Sequence, residues 1–345
     1  MKTLLSNLNR RRFRKKRIRK NKVAHRKKNK LVFNYTSLKS VVIVKDRLKA
    51  PRYFNYLKHP LECNYFFSSL RLKNNCNVIR GKHSFKICLK KTIEVDFAAV
   101  SILKSIMEEA NLSGISFSGN LPDHLECRNS LIDYGFLDNL EHDGDKQIKI
   151  ESNGKYFSYK KKSGKLTEKD FEDFDKISIK AFNEVADYYG CFDDIITVFK
   201  EVGGNAVEWS QSKNSQWMIG YYEKDGKVII NVIDLGLGIL ETLYRSKKLK
   251  FIDFFNIRNN LDILERAFLR KYGSLSQDIN RNKGLPFIKD IYDQNKIKNL
   301  IVSTNNIFYN FENNYESKIS SRLESNFLGT FYQWELDKQC IKYYE

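Results

Sequence analysis

Proline is scarce in this chain, four in 345 residues, and methionine scarcer, with three. No apolar run approaches the ~18 residues that a membrane-spanning helix needs. The opening Met1-Lys2-Thr3-Leu4-Leu5 lacks an apolar stretch long enough for a secretory signal. The six cysteines (Cys63, Cys76, Cys88, Cys127, Cys191, Cys340) are scattered and none forms a CxxC pair. That pattern argues against a disulfide scaffold or a zinc ribbon and predicts a reducing cytoplasm. No GxxxxGK[ST] string exists, so there is no Walker A loop. Acidic residues are missing from positions 1–30, which hold fifteen of the 61 Lys and Arg residues.

The net charge of +20 therefore belongs mainly to one end, since the remaining residues carry 46 basic against 41 acidic groups. Such a segment repels itself, and residues 1–30 are predicted to be a basic disordered tail. It is either a solubilising tail or an electrostatic handle for nucleic acid, an anionic surface or an acidic partner. An acid-poor transit peptide is a third option. The rest is 41% hydrophobic over the whole chain, enough for a packed core, and its length suggests about two domains.

Residues 31–91 hold short apolar runs, Ser40–Val44 and Phe85–Cys88, that read as strands. Thr92–Phe97 reads as a strand. Ala98–Ala110 reads as a helix with Val100, Leu103, Ile106 and Met107 on one face. Gly114–Gly119 reads as a further strand, and Asp123 as the cap of a helix ending near Tyr134-Gly135-Phe136. This β-α-β-α order over residues 92–140 implies a small α/β layer and resembles a STAS-like domain, the module of anti-sigma-factor antagonists. The boundaries are a 31–150 α/β domain, a polar, Gly-dotted linker with a hairpin at 151–165, and a second domain over 166–345.

Three segments of the second domain carry chemistry. Phe192–Ser210 has a helical apolar stripe, and its other face presents Glu201, Asn205 and Glu208 at i, i+4 and i+7. A carboxylate there can accept a proton from water, and an amide oxygen is a hard ligand for Mg²⁺. The same spacing also describes an ordinary solvated helix face. The run Trp217–Tyr222 and the run Val228–Ile233 flank an Asp-Gly turn, the signature of a hairpin. The second strand runs into Asp234-Leu235-Gly236-Leu237-Gly238-Ile239. Its glycines allow close backbone approach to a ligand or a structural turn with φ > 0. Further on, Asn282-Lys283-Gly284-Leu285 opens a helix, with Arg281 and Lys283 placed to neutralise phosphate charge.

In this order the segments resemble the GHKL superfamily of ATPases, which includes DNA gyrase, mismatch-repair ATPases, heat-shock chaperones and sensor histidine kinases. Glu201–Glu208 looks like the N box, Asp234–Ile239 like the first glycine box, and Asn282–Leu285 like the second. Leu328-Gly329-Thr330-Phe331 looks like the closing strand. The resemblance covers about residues 166–340. It implies a two-layer α/β sandwich of Bergerat type, a mixed sheet covered by helices on one face. It also implies ATP and Mg²⁺ as ligands. Glu201 would polarise the attacking water as catalytic base, and Asn205 would ligate Mg²⁺. Asp234 would read the adenine amino group, supported by Thr330. Gly236, Gly238 and Ile239 would border the nucleotide, and Arg281, Lys283, Gly284 and Leu285 would meet the phosphates from a partly helical lid over Leu240–Lys283. Asn282 stands where the second box usually has a Gly, and Trp209 where His often follows the N box.

None of the five histidines sits on a dimerisation segment before the N box, which disfavours a sensor kinase. No transducer-like segment follows the ATPase-like region, so the expectation is a standalone ATP-binding protein. Three roles stay open. One is an ATP-driven switch acting on a protein or nucleic-acid partner through residues 1–150. Another is a serine/threonine kinase resembling anti-sigma factors, with Ser101, Ser116 or Ser118 as acceptors. The third is a nucleic-acid-binding protein using its tail. Many relatives dimerise, so a homodimer also stays open.

Overall fold

The computed structural model describes residues 47–79, 84–137, 156–161, 167–186, 192–209, 217–245, 260–269, 284–321 and 325–343. The basic tail, the strand expected at Ser40–Val44 and residues 246–259 and 270–283 of the expected lid lie outside these residues.

The first half of the chain supplies β1 (Arg47–Lys49), β2 (Tyr53–Phe54), α1 (Pro60–Ile79), β3 (Ser84–Cys88), β4 (Glu94–Val95), α2 (Phe97–Asn111), β5 (Ser116–Asn120) and α3 (Leu125–Asp133). β1, β3 and β5 form a parallel sheet in that order, and β2 pairs with β4 as a separate parallel ribbon. Two local expectations need correction. The predicted strand over 92–97 keeps only Glu94–Val95, because Asp96 turns the chain and caps α2, its carboxylate accepting from the Ala99 N–H at 2.8 Å. The cap of α3 is His124 rather than Asp123. The helix begins one residue later than its apolar pattern suggests, and the His124 ring accepts from the Cys127 N–H.

The second half supplies β6 (Tyr156–Lys161), α4 (Glu168–Ala186), α5 (Asp193–Trp209), β7 (Trp217–Lys224) and β8 (Lys227–Asp234). Then come α6 (Ile239–Arg245), α7 (Asn260–Phe268), α8 (Gly284–Asp293), β9 (Lys298–Asn305), β10 (Ile307–Asn310), β11 (Lys318–Ile319), β12 (Phe327–Leu336) and α9 (Lys338–Ile341). Asp225 and Gly226 both take positive φ, 53° and 71°, so the β7–β8 hairpin turns where the sequence predicts. Residues 156–161, within the expected linker and its hairpin, form an edge strand paired with β7.

The strands form one seven-stranded sheet, ordered β11-β10-β9-β12-β8-β7-β6, and every ladder in it is antiparallel. This corrects the expectation of a mixed sheet. Both faces of the sheet are buried: the helices of the second half cover one face, and helices of the first half cover the other. Trp217, Ile219, Val232, Val302, Tyr332 and Trp334 pack with α4, α5, α7 and α8. Their neighbours Met218, Ile233, Ile301, Phe308 and Phe331 share a core with α1 and α2. Alternate residues of a strand point to opposite faces, so strands apolar at both alternations demand a layer on each side. Fully burying one such Ile or Phe contributes about 1.5–3 kcal/mol. Polar stitches cross the second interface: the Tyr56 hydroxyl donates to Ser303 Oγ at 2.6 Å, and Asn231 Nδ2 donates to Ser101 Oγ at 3.1 Å. Asp46–Glu345 is one compact unit. The chain is thus a mixed α/β protein with parallel sheets and a separate antiparallel sheet. Among the described residues no helix is long and apolar enough to cross a membrane.

Candidate functional site

The site is built at one end of the large sheet. Trp217 pairs with Asp234, Asp234 with Thr330, and Thr330 with Thr304. Directly opposed residues on antiparallel strands share a face. Trp217 belongs to the helix-side core, so this row points toward α4 and α5. The next row inward on that face, Ile219, Val232, Tyr332 and Val302, carries a single polar atom at its tyrosine. Asp234, Thr330 and Thr304 therefore form a polar island at the end of a buried apolar row.

Asp234 is held in place by its neighbours. Its Oδ1 accepts from the Gly236 N–H at 2.8 Å. Burial pushes its carboxyl above the usual carboxylate range. The Gly236 N–H, the Thr330 hydroxyl and the charge of Arg71 act in the opposite sense. Asp234 also contributes to holding the buried Tyr332 phenol in its neutral form, although desolvation is the larger cause.

The loop after Asp234 owes its shape to two residues that the sequence reading missed. Thr304 Oγ1 accepts from the Ile239 N–H at 2.8 Å, and Asn305 Oδ1 from the Leu240 N–H at 3.0 Å. Asn305 Nδ2 donates to the Leu237 carbonyl at 2.9 Å. The first N–H groups of α6 are thereby satisfied from β9, so this helix start is a structural joint and not a phosphate cradle. Gly238 sits in the joint with φ 81°. A Cβ there would lie 2.6 Å from Asn305 Oδ1 and 2.7 Å from the Gly329 carbonyl. Asn305 itself takes φ 52°, a conformation Asn tolerates. That pairing of a strand-end Asn with a distant Gly leaves no local sequence signal.

Glu201 and Asn205 lie on α5, whose apolar stripe (Ile195, Val198, Phe199, Val202) is buried under the sheet. Between them, Gly203 rests on the indole of Trp217. A Cβ at Gly203 would be 3.0 Å from the ring. Through that contact the helix carrying Glu201 and Asn205 abuts the strand neighbour of Asp234. Gly284, the first residue of α8, meets the same two side chains. A Cβ there would be 2.8 Å from Glu201 Oε2 and 3.2 Å from Asn205 Nδ2. A carboxylate at the start of a helix is favoured by the partial positive charge of its free N–H groups. Leu285 and Ile239 are half-buried and pack against the helix-side core, and Gly236 is half-buried beside Asp234.

The structure therefore brings Asp234, Gly236, Gly238, Ile239 and Thr330 into one loop-and-strand group. It brings Glu201, Asn205 and Gly284 into a second group on the same side of the sheet. Arg281, Asn282 and Lys283 lie outside the described residues, as do the side chains of Glu208 and Trp209. Of the candidate phosphoacceptors, Ser101 is buried and hydrogen-bonded to Asn231, whereas Ser116 and Ser118 are exposed on β5. Comparison with protein-family models and with curated proteins finds no match to the chain.

Proposed function

We propose that residues 166–345 are a GHKL-type nucleotide domain, built here on an antiparallel sheet, that binds ATP with Mg²⁺, hydrolyses it slowly and acts as a switch. The observation that carries this reading is the polar island of Asp234 and Thr330 at the end of a buried apolar row, on the same side of the sheet as Glu201 and Asn205. An adenine amino group needs one acceptor fixed at the edge of its site, and Asp234 stands at the end of the sheet where the apolar core stops.

The residues fit the ligand. Asp234 accepts the adenine amino group, and Thr330 supports it. Asn205 offers one hard amide oxygen, which suits Mg²⁺, an ion that keeps several waters and takes its other ligands from substrate phosphates. The metal, when bound, neutralises charge on those phosphates. Gly284 opens α8, and the start of that helix is where phosphate would lie. Glu201 holds a water and takes its proton as general base. The partner of the switch is a protein or nucleic acid engaged through residues 1–150, a region with a STAS-like β-α-β-α order and a basic tail.

The test is ATP turnover by the full chain and by Glu201→Gln, alongside binding. Turnover by the wild type with binding but roughly hundredfold slower turnover in the variant supports the assignment. Equal turnover in both removes Glu201 from the chemistry.

A further inference from the structure

Arg71, on α1 in the layer behind the sheet, spreads one guanidinium over three other segments. Its Nε and Nη2 donate to both carboxylate oxygens of Glu109 on α2, each at 2.9 Å. Nη2 also donates to the Leu235 carbonyl at 2.9 Å, and Nη1 to the Leu328 carbonyl at 2.6 Å. Both ions are largely shielded, with side chains 15% and 21% exposed.

The two carbonyls are not arbitrary. Leu235 directly follows Asp234, beyond the last ladder pair of β8. Leu328 lies in a β-bulge between Phe327 and Thr330, where the β9–β12 register shifts. A bulge takes a residue out of the ladder. Each carbonyl therefore needs a donor from elsewhere, and one arginine supplies both. The segments they belong to cross each other: a Cβ at Gly329, whose φ is 135°, would lie 2.0 Å from the Asp234 carbonyl oxygen. One turn earlier on α1, Ser68 Oγ donates to the Asn326 carbonyl at 2.8 Å. Thus the Ser68–Arg71 edge of α1 runs along the chain that leads into Thr330.

We propose that Arg71, oriented by Glu109, is a positioning residue that fixes Asp234 and Thr330 from behind the sheet, so that nucleotide affinity depends on how α1 and α2 are held. This rests on the nucleotide reading above and adds its point of control. It makes the N-terminal layer an input to the site: a partner that displaces α1 loosens the grip on Leu235 and Leu328 and weakens binding. Linkage requires the converse, that bound nucleotide steadies α1.

The test uses the full chain, with Arg71→Lys, which keeps the charge and loses the fork, and Glu109→Gln, which removes the orienting charge. Mg·ATP affinity, the melting temperature and amide exchange are measured for each. The expected result is a roughly tenfold loss of ATP affinity in both variants, on the scale of one hydrogen bond to a charged group. Melting temperatures stay near that of the wild type. Exchange speeds up at residues 235–240 and 328–330 and is unchanged in the middle of β8 and β12. In the wild type alone, ATP slows exchange at residues 68–71. Wild-type affinity and wild-type exchange in both variants would overturn the proposal. So would a loss of affinity that appears only with a general fall in melting temperature and uniformly faster exchange. If the wild type binds no ATP, the nucleotide reading fails, and exchange without ligand decides the clamp: faster exchange confined to the two segments retains it, unchanged exchange rejects it.

Discussion

Thr330 stands directly across from Asp234 on the neighbouring antiparallel strand, and both point toward the face on which α5 carries Glu201 and Asn205. Residues far apart in sequence are joined there by register alone. A shift of β12 by one residue would turn Thr330 to the opposite face and present Phe331 to the site. The bulge at Leu328 and the left-handed Gly329 fix that register.

Gly238 and Gly204 give opposite outcomes when changed to Ala. Gly238 has φ 81° and no room for a Cβ beside Asn305 and Gly329. Its substitution is expected to cost about 2–4 kcal/mol. Gly204, inside α5, has nothing within 4 Å of a built Cβ. Its substitution is expected to stabilise by about 0.5–1 kcal/mol, because Ala loses less backbone freedom on folding. Urea unfolding of both variants checks the contrast.

Gly284→Ala separates stability from turnover. The atom in the way is the tip of the Glu201 side chain, which can swing aside. Stability is expected to change by less than about 1 kcal/mol, while a displaced Glu201 lowers ATP turnover by about tenfold or more. Gly329→Ala differs, since its Cβ would meet the backbone oxygen of Asp234 at 2.0 Å. That variant is expected to lose more than about 3 kcal/mol, which thermal melts will show.

Asp96 gives the fold a pH dependence. Burial raises its carboxyl from 3.8 to about 6, although the Leu57, Tyr56 and Ala99 N–H groups favour the ionised form. Between those values the unfolded chain has released the proton and the folded chain still holds it. Stability from this group therefore falls as pH rises through the window. Measured against Asp96→Asn, the wild type is expected to lose relative stability between about pH 4 and pH 6, with a flat difference above. A difference that grows with pH there would reverse the sign and refute the argument.

The sequence makes some of this legible and hides the rest. The β7–β8 hairpin follows from Asp225-Gly226, and the α5 stripe from Ile195, Ile196, Phe199, Val202 and Ala206, because both signals are local. The region after Ile239 reads as partly helical, and α6 and α7 occupy its described parts. What covers the second face of the sheet is not readable. Met218, Ile233 and Phe331 announce burial, but nothing in their strands names α1 and α2 as the cover. Tyr156–Lys161 reads as part of a linker hairpin, and nothing in its own residues says that it joins the large sheet beside β7. Arg71, Thr304 and Asn305 escape for a related reason. Their roles depend on carbonyls and N–H groups that only the fold brings near.

The most direct test is the dissociation constant of Mg·ATP for the full chain and for Asp234→Asn, with melting temperatures recorded for both. The account expects the wild type to bind below millimolar nucleotide and the variant to bind at least about tenfold more weakly, because an amine facing an amide loses a charged acceptor. The variant should melt at or above the wild-type temperature, since a buried carboxyl with a raised pKa is relieved of its charge. Equal affinity in the two proteins, or no binding by the wild type at millimolar ATP, would contradict the assignment of Asp234 and the nucleotide site with it.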